Sequence, residues 1–347
     1  MAFQFSNLKK NIKPYFIAEA GVNHECSLRA AKKLIDAAKD GGADAIKFQT
    51  YKAEKIASKN SPYYWDLKKE KTRSQFELFS KYDKFDEKHY RELHNYCKKR
   101  KIEFLSTPFD LESVNFLNPL LNVFKISSSD ITNFPLIEAI ASKKKPIILS
   151  TGASNLSEIR AALKIINKKV NKVVLMHCIL NYPTKNNDAN LNMIKSLKKE
   201  FPSCIVGYSD HTLPSNDMQN LITSFFLGAK VIEKHFTLSK KKLGNDHYHS
   251  LDSKDLKIFN KRISYISSTL GVDKKNFIKS EITSRKNARR SIVLIADKKK
   301  GYQLKKKDLI SKRPATGISP IFTKKLIGKK LRRDLKSDTI LSWKHIL

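Results

Sequence analysis

At 347 residues and 39.8 kDa, with 40% hydrophobic residues, the chain can bury one large core and a smaller one. No apolar run approaches the ~20 residues of a membrane helix, and the start, Met1-Ala2-Phe3-Gln4-Phe5-Ser6, has no apolar signal core, so a cytoplasmic location without membrane association is expected. The net charge of +35 raises the question of nucleic acid, but runs such as Lys98-Lys99-Arg100-Lys101 and Lys240-Lys241-Lys242 fall between core segments with no aromatic stripe. They predict a solvated lysine-rich surface that also draws in small anions.

From Tyr15 onward, short apolar runs alternate with helix-like stretches. The runs are Tyr15–Ala20, Ala43–Thr50, Ile102–Thr107, Asn122–Ser127, Pro146–Thr151, Lys172–Cys178, Cys204–Ser209 and Ala229–Phe236. Several are almost continuously apolar, as strands covered on both faces are. Between the first two, Ser27 precedes a 3–4 periodic stretch that Gly41-Gly42 ends, which predicts a capped helix. Asp86–Arg100, Ser157–Ile166, Asn216–Leu227 and Ser253–Ile266 read the same way. Eight strand–helix units over residues 1–270 predict a (β/α)8 TIM barrel. The connection Tyr51–Phe85 exceeds an ordinary loop, and connections of that length are commonly functional. Residues 271–285 read as a linker. The segment 286–347, with Ser291–Ile295, Asp308–Ile310 and turns around Gly301 and Gly328, predicts a small β-rich domain. Residues 271–347 carry 23 Lys and Arg against 6 Asp and Glu, so +17 of the charge lies there. The four cysteines, Cys26, Cys97, Cys178 and Cys204, form no Cys-x-x-Cys pair and are expected to stay reduced.

Active sites of such barrels lie at the carboxyl ends of the strands. Those ends here carry Glu19 with Asn23-His24, Lys47 with Gln49, Ser106-Thr107, Lys125 with Ser128 and Asp130, Ser150-Thr151, His177 with Tyr182, Ser209-Asp210-His211, and Glu233-Lys234-His235. One polar strand end is as readily a cap or turn as a catalyst, but eight on one rim point to a site. Lys47 and Lys125 interrupt apolar runs, and with Thr107, Ser128, Ser150 and Ser209 they suit a phosphate group. His211 and His235 are a candidate pair of divalent-metal ligands. Glu19 and Asp246 are the leading carboxylates for acid–base work. His24 and His177 are expected to satisfy buried backbone groups.

In order along the chain, Ile17-Ala18-Glu19-Ala20-Gly21-Val22-Asn23-His24, Ile46-Lys47-Phe48-Gln49-Thr50, Ser106-Thr107-Pro108-Phe109, Phe124-Lys125-Ile126, Ser150-Thr151-Gly152, His177-Cys178, Tyr182-Pro183, Gly207-Tyr208-Ser209-Asp210-His211 and Glu233-Lys234-His235-Phe236-Thr237 resemble the sialic acid synthase family. Lys312-Arg313-Pro314 and Gly317-Ile318 resemble that family's C-terminal antifreeze-like (SAF) domain. The resemblance implies condensation of phosphoenolpyruvate with the open-chain aldehyde of an N-acylated mannosamine-type sugar, giving a nine-carbon 2-keto-3-deoxy acid and phosphate. It implies one Mn2+ or Mg2+ on His211 and His235. Lys47, Thr107, Lys125, Ser128, Ser150 and Ser209 would then surround phosphoenolpyruvate, and Asp130 would meet the sugar. Glu19, Gln49, Tyr182, Asp210 and Asp246 would act at the reacting centre. It also implies a domain-swapped homodimer in which Arg313 reaches the partner's sugar.

The chain departs from the family pattern at Cys26, Asp130, Leu180 and Asn245, mostly on the sugar side. N-acetylmannosamine and a diacetamido-trideoxyhexose therefore both stand as acceptors, the latter leading to a legionaminic- or pseudaminic-type acid. Two rival readings stay open: a phosphoenolpyruvate-condensing barrel that takes a phosphorylated sugar, and a non-catalytic polyanion-binding protein.

Overall fold

The computed structural model describes residues 3–8, 11–244 and 246–347; Asn245, one of the four departures, lies outside the described residues. The chain divides into two compact units, Met1–Leu270 and Gly271–Leu347. In the first, eight strands form one parallel sheet: β1 (Tyr15–Gly21), β2 (Ala45–Thr50), β3 (Glu103–Pro108), β4 (Phe124–Ile126), β5 (Ile147–Ser150), β6 (Val173–Cys178), β7 (Ile205–Asp210) and β8 (Val231–His235). Hydrogen-bonded neighbours run β3-β2-β1-β8-β7-β6-β5-β4, so β1 pairs with both β2 and β8 and the sheet curls back on itself. This is the expected TIM-barrel-like fold, with the ladder open at the β3–β4 seam among the described residues.

Each strand carries two messages at a period of two. One set, including Ile17, Ala45, Leu105, Val123, Ile148, Val174, Met176, Ile205 and Val231, forms an apolar core with Phe3 and Leu8. The alternate set, including Phe16, Ile46, Phe48, Phe124, Leu149 and Ile232, packs against the surrounding helices. Further along the same face come Glu19, Lys47, Thr107, Lys125, Ser150, Ser209 and Glu233, toward the carboxyl ends of the strands. The same face is therefore hydrocarbon at the start of the strands and polar at their ends. Gly207 belongs to this layer by necessity: a Cβ there would lie 2.3 Å from the Met176 sulfur and 2.6 Å from the Val231 carbonyl oxygen.

The helices follow their caps. Ser27 Oγ accepts from the Ala30 N–H at 3.2 Å, and Gly42, at φ +89°, ends the helix Leu28–Gly41. Asp86 caps Glu87–Arg100 and Asn155 caps Leu156–Ile166, each in a reciprocal capping box. The helix expected over Asn216–Leu227 spans Gln219–Phe226, and the one expected to end at Ile266 continues to Leu270.

In the second unit, β9 (Ser291–Leu294) pairs antiparallel with β10 (Leu309–Lys312). Isolated bridges such as Val293–Ile340 and Leu331–Ile346 hold the turns around them. A separate small core of Ile292, Leu294, Leu304, Leu326, Leu331 and Leu341 lies beneath. The stretch expected as linker contains a 3-10 turn at Lys279–Glu281 and the start of a helix, Ile282–Ala288. No helix among the described residues is long and apolar enough to cross a membrane.

Candidate active site

At the carboxyl ends of the strands, Lys47 and Lys125 are both buried, and two carboxylates divide the work of neutralising them. Lys47 Nζ pairs with Glu19 Oε2 and lies 3.9 Å from Glu233 Oε2, while Lys125 Nζ lies 3.6 Å from Glu233 Oε1. Lys47 donates to Thr107 Oγ1 at 3.1 Å, Lys125 to Ser150 Oγ at 2.7 Å, and Ser209 to Glu233 Oε1 at 3.1 Å. Ser128 Oγ, on a 3-10 turn after β4, accepts from the Gly152 N–H at 2.9 Å. These groups line a compartment of about 390 Å3 that also reaches His211 and Leu180. Two ammonium groups, several hydroxyls and two carboxylates that can yield their partners make an anion site.

Burial sets the charge states. It pushes the Glu19 carboxyl up to about 7, against the pull of Lys47 and with the help of Glu233. Burial also acts to raise Glu233, but Lys125 and Lys47 outweigh it and keep that carboxylate below its usual range. Burial lowers Lys125, with Glu233 only partly restoring it. For Lys47 the same cost is outweighed by Glu19 and Glu233, which raise it. The stable arrangement is an ionised Glu233 shared by two lysines, with Glu19 titrating near neutrality.

A second compartment of about 680 Å3 adjoins the first, and Gln49, Tyr182 and His235 line both. Its aromatic wall comes from the long connection after β2: Tyr51, Tyr64, Trp65, Phe79 and Tyr82, with Leu78. That connection is built rather than loose. Trp65 Nε1 donates to the Thr72 carbonyl at 3.0 Å, Gln75 Nε2 to the Pro62 carbonyl at 2.6 Å, and Lys52 Nζ to the Asp83 carbonyl at 2.7 Å. The polar wall holds Asn23, Asp246 and His247. Burial raises the Asp246 carboxyl to about 6. Gln49 Nε2 donates to Glu19 Oε1 at 3.1 Å, tying the boundary to the first compartment.

His211 and His235 face each other, ring centroids 5.5 Å apart, with the Tyr182 ring 4.1 Å from His211. His211 Nδ1 lies 2.8 Å from the Ile179 carbonyl, so it is the donor and the other nitrogen is left as an acceptor. Burial lowers His211 to about 4 and His235 well below its usual range. Two neutral imidazoles, one with its tautomer fixed, fit a divalent cation. His235 Nδ1 is buried, makes no hydrogen bond, and lies 3.6 Å from Asp246 Oδ2.

Not every expected residue comes to this place. Asp210 faces the other way: its neighbours Ser209 and His211 point inward, so strand alternation sends Asp210 to the helix side. There it pairs with Lys234 at 2.7 Å and accepts from Tyr208 at 2.8 Å and from the Thr212 N–H at 2.9 Å. Burial opposes its ionisation, but Lys234 outweighs it and holds the carboxyl low. Asp130 lines neither compartment; Asn133 Nδ2 donates to it at 3.0 Å. Arg313 is exposed in the second unit. His177 lies 2.8 Å from the Ala189 carbonyl, and His24 accepts from the Cys26 N–H at 3.1 Å and stacks on Phe85, so both are structural. Two residues given no role from the sequence belong to this place: Glu233, between the two lysines, and His249, beside His235. Glu233 could have been found from its place two residues before His235 on one strand face. His249 lies in a polar loop with no periodicity to mark it.

Comparison with known proteins gives the chain its family. Residues 34–275 match the NeuB family and residues 289–347 the SAF domain. The chain is 43% identical to the N,N'-diacetyllegionaminic acid synthase of Campylobacter jejuni, covering 95% of this chain and 99% of that one. It is 40% identical to the enzyme of the same name from Legionella pneumophila (98% and 99%), and 33% to the pseudaminic acid synthase of C. jejuni (96% and 96%). A crystal structure of N-acetylneuraminic acid synthetase from Leptospira borgpetersenii in complex with citrate superposes with a TM-score of 0.69 at 34% identity, covering 78% of this chain and 90% of that one. The chain belongs to the NeuB family of sialic-type acid synthases, as an enzyme with a C-terminal SAF domain.

Proposed function

We propose that this enzyme condenses phosphoenolpyruvate with the open-chain aldehyde of a 2,4-diacetamido-trideoxyhexose, releasing phosphate and a legionaminic-type nine-carbon acid. One observation carries the reading: a basic, hydroxyl-lined compartment and an aromatic, carboxylate-bearing one share Gln49, Tyr182 and His235 as their common wall. An anion and a sugar bound side by side would meet there. For the acceptor, the wall of Tyr64, Trp65, Leu78 and Phe79 suits a deoxygenated end better than a hydroxymethyl group, which would lose hydrogen bonds against it. The 43% and 40% identities to diacetyllegionaminic acid synthases, against 33% to a pseudaminic acid synthase, support the same choice.

Lys47, Lys125, Thr107, Ser128, Ser150 and Ser209 bind the phosphate and carboxylate of phosphoenolpyruvate. Gln49 and Tyr182 orient the aldehyde so that carbon 3 of the enol attacks it. Asp246, on the acceptor side, gives its proton to the new alkoxide. Glu19, on the phosphate side, takes a proton from the water that adds to carbon 2, and the C–O bond to phosphate then breaks. His211 and His235 would hold one divalent cation, and their imidazole donors suit Mn2+ better than the oxygen-seeking Mg2+. When bound, the cation supplies Lewis-acid polarisation of the aldehyde oxygen. Arg313 would reach the acceptor of the partner subunit in a domain-swapped homodimer.

The test is phosphate release from phosphoenolpyruvate with Mn2+ and three acceptors: N-acetylmannosamine, its 6-phosphate, and 2,4-diacetamido-2,4,6-trideoxymannose. The last should give the highest kcat/KM, by about 10- to 100-fold over N-acetylmannosamine. A preference for the phosphorylated sugar would refute the assignment.

A further inference from the structure

His249 sits beside the histidine pair yet lines neither compartment. It is 0% exposed, and its ring packs edge-on against His235 with centroids 4.8 Å apart. Tyr182 and Tyr248 close two further sides at 5.8 and 5.0 Å. One nitrogen or oxygen each from His235, Asp246 and His249 fall within 4.8 Å of one another. His235 Nδ1, buried and without a hydrogen bond, is on this side, 3.6 Å from Asp246 Oδ2.

An imidazole that binds a cation through one nitrogen presents a polarised N–H at the other. An acceptor placed there fixes both tautomer and ring orientation. With Nδ1 turned toward Asp246, the Nε2 of His235 is the nitrogen available to a cation shared with His211. Ring rotation would undo this, and of the rings packed on His235 the nearest is His249, at 4.8 Å against 5.5 Å for His211 and 6.0 Å for Tyr182.

We propose that His249 is a positioning residue of the metal centre: its ring wedges His235 against Asp246, directing Nδ1–H to the carboxylate and Nε2 to the cation. This rests on the assignment of the cation to His211 and His235. It gives Asp246 a second duty, so acceptor chemistry and cation affinity are linked through one carboxylate.

The test titrates chelator-stripped full-length protein with Mn2+ alone, by calorimetry, and counts coordinated imidazoles by pulsed electron spin-echo spectroscopy. His249→Ala should weaken Mn2+ by about 10- to 100-fold with the imidazole count of the wild type. His249→Phe, which keeps a ring in the wedge, should restore most of that affinity. Should the alanine variant not fold, Asp246→Asn, which keeps the packing and removes the charge, carries the same expectation of weakened binding at an unchanged count. Wild-type affinity in His249→Ala, or a His249→Phe variant as weak as alanine, would overturn the wedge. A count lower by one imidazole would overturn it too, making His249 a direct ligand. No Mn2+ binding by the wild type would instead overturn the His211–His235 assignment, and this inference with it.

Discussion

Single residues divide into those that serve the reaction and those that hold the barrel. Asp210 and Lys234 form a buried ion pair on the helix side of β7 and β8. Asp210→Asn leaves Lys234 buried without a countercharge, so a loss of about 3–5 kcal/mol is expected, read as a lowered urea midpoint. Unchanged stability would contradict this placement. His211→Ala and His235→Ala should each abolish Mn2+-dependent phosphate release while circular dichroism stays native; full activity in either would remove the metal assignment. The two raised carboxyls give a pH dependence with a definite sign. Glu19 must lose its proton to act as base, so kcat/KM falls as pH drops below about 7. Asp246 must keep its proton to act as acid, so kcat/KM falls as pH rises above about 6. The profile should be a bell peaking between those values. A rate still climbing at alkaline pH would contradict the role given to Asp246.

Among elements, the long connection after β2 would, under the proposed function, form the wall that meets the acceptor. Trp65 is buried, anchors the connection through its bond to Thr72 and lines the aromatic compartment. Trp65→Ala should raise the acceptor KM by about tenfold or more and leave the phosphoenolpyruvate KM unchanged; an equal effect on both would mean a general loss of structure. The eight strands were legible in the sequence because strands buried on both faces read as apolar runs, and polar residues at their ends mark the rim. Lys47 and Lys125 stood out for the same reason. Alternation was the signal that Asp210 faces away from Ser209 and His211, and that Glu233 faces the same way as His235. The wall formed by residues 51–85 was only partly legible: Leu78, Phe79 and Tyr82 recur at helical spacing on the helix Gln75–Tyr82, whereas Tyr64 and Trp65 lie in a stretch without period that carries no direction until the connection folds. His249 was hidden likewise: the role proposed for it comes from its place beside His235 once the loop is folded.

For the whole molecule, the charge of +35, of which +17 lies in residues 271–347, would under the proposed function draw in an anionic substrate. The two units have separate cores, and the proposed exchange of Arg313 between subunits gives the second unit a catalytic purpose. Mixed dimers of an Arg313→Ala chain with a Lys47→Ala chain should recover partial activity, because one intact barrel then meets one intact Arg313. No complementation would argue against the exchange. The central claim is that phosphoenolpyruvate is cleaved at its C–O bond when an amino-sugar aldehyde is condensed. Phosphoenolpyruvate labelled with 18O at the bridging oxygen, turned over with Mn2+ and 2,4-diacetamido-2,4,6-trideoxymannose, tests it most directly by mass spectrometry. The label should leave in inorganic phosphate, in step with the nine-carbon acid; label retained in the acid, or phosphate released without the sugar, would rule out C–O cleavage coupled to condensation.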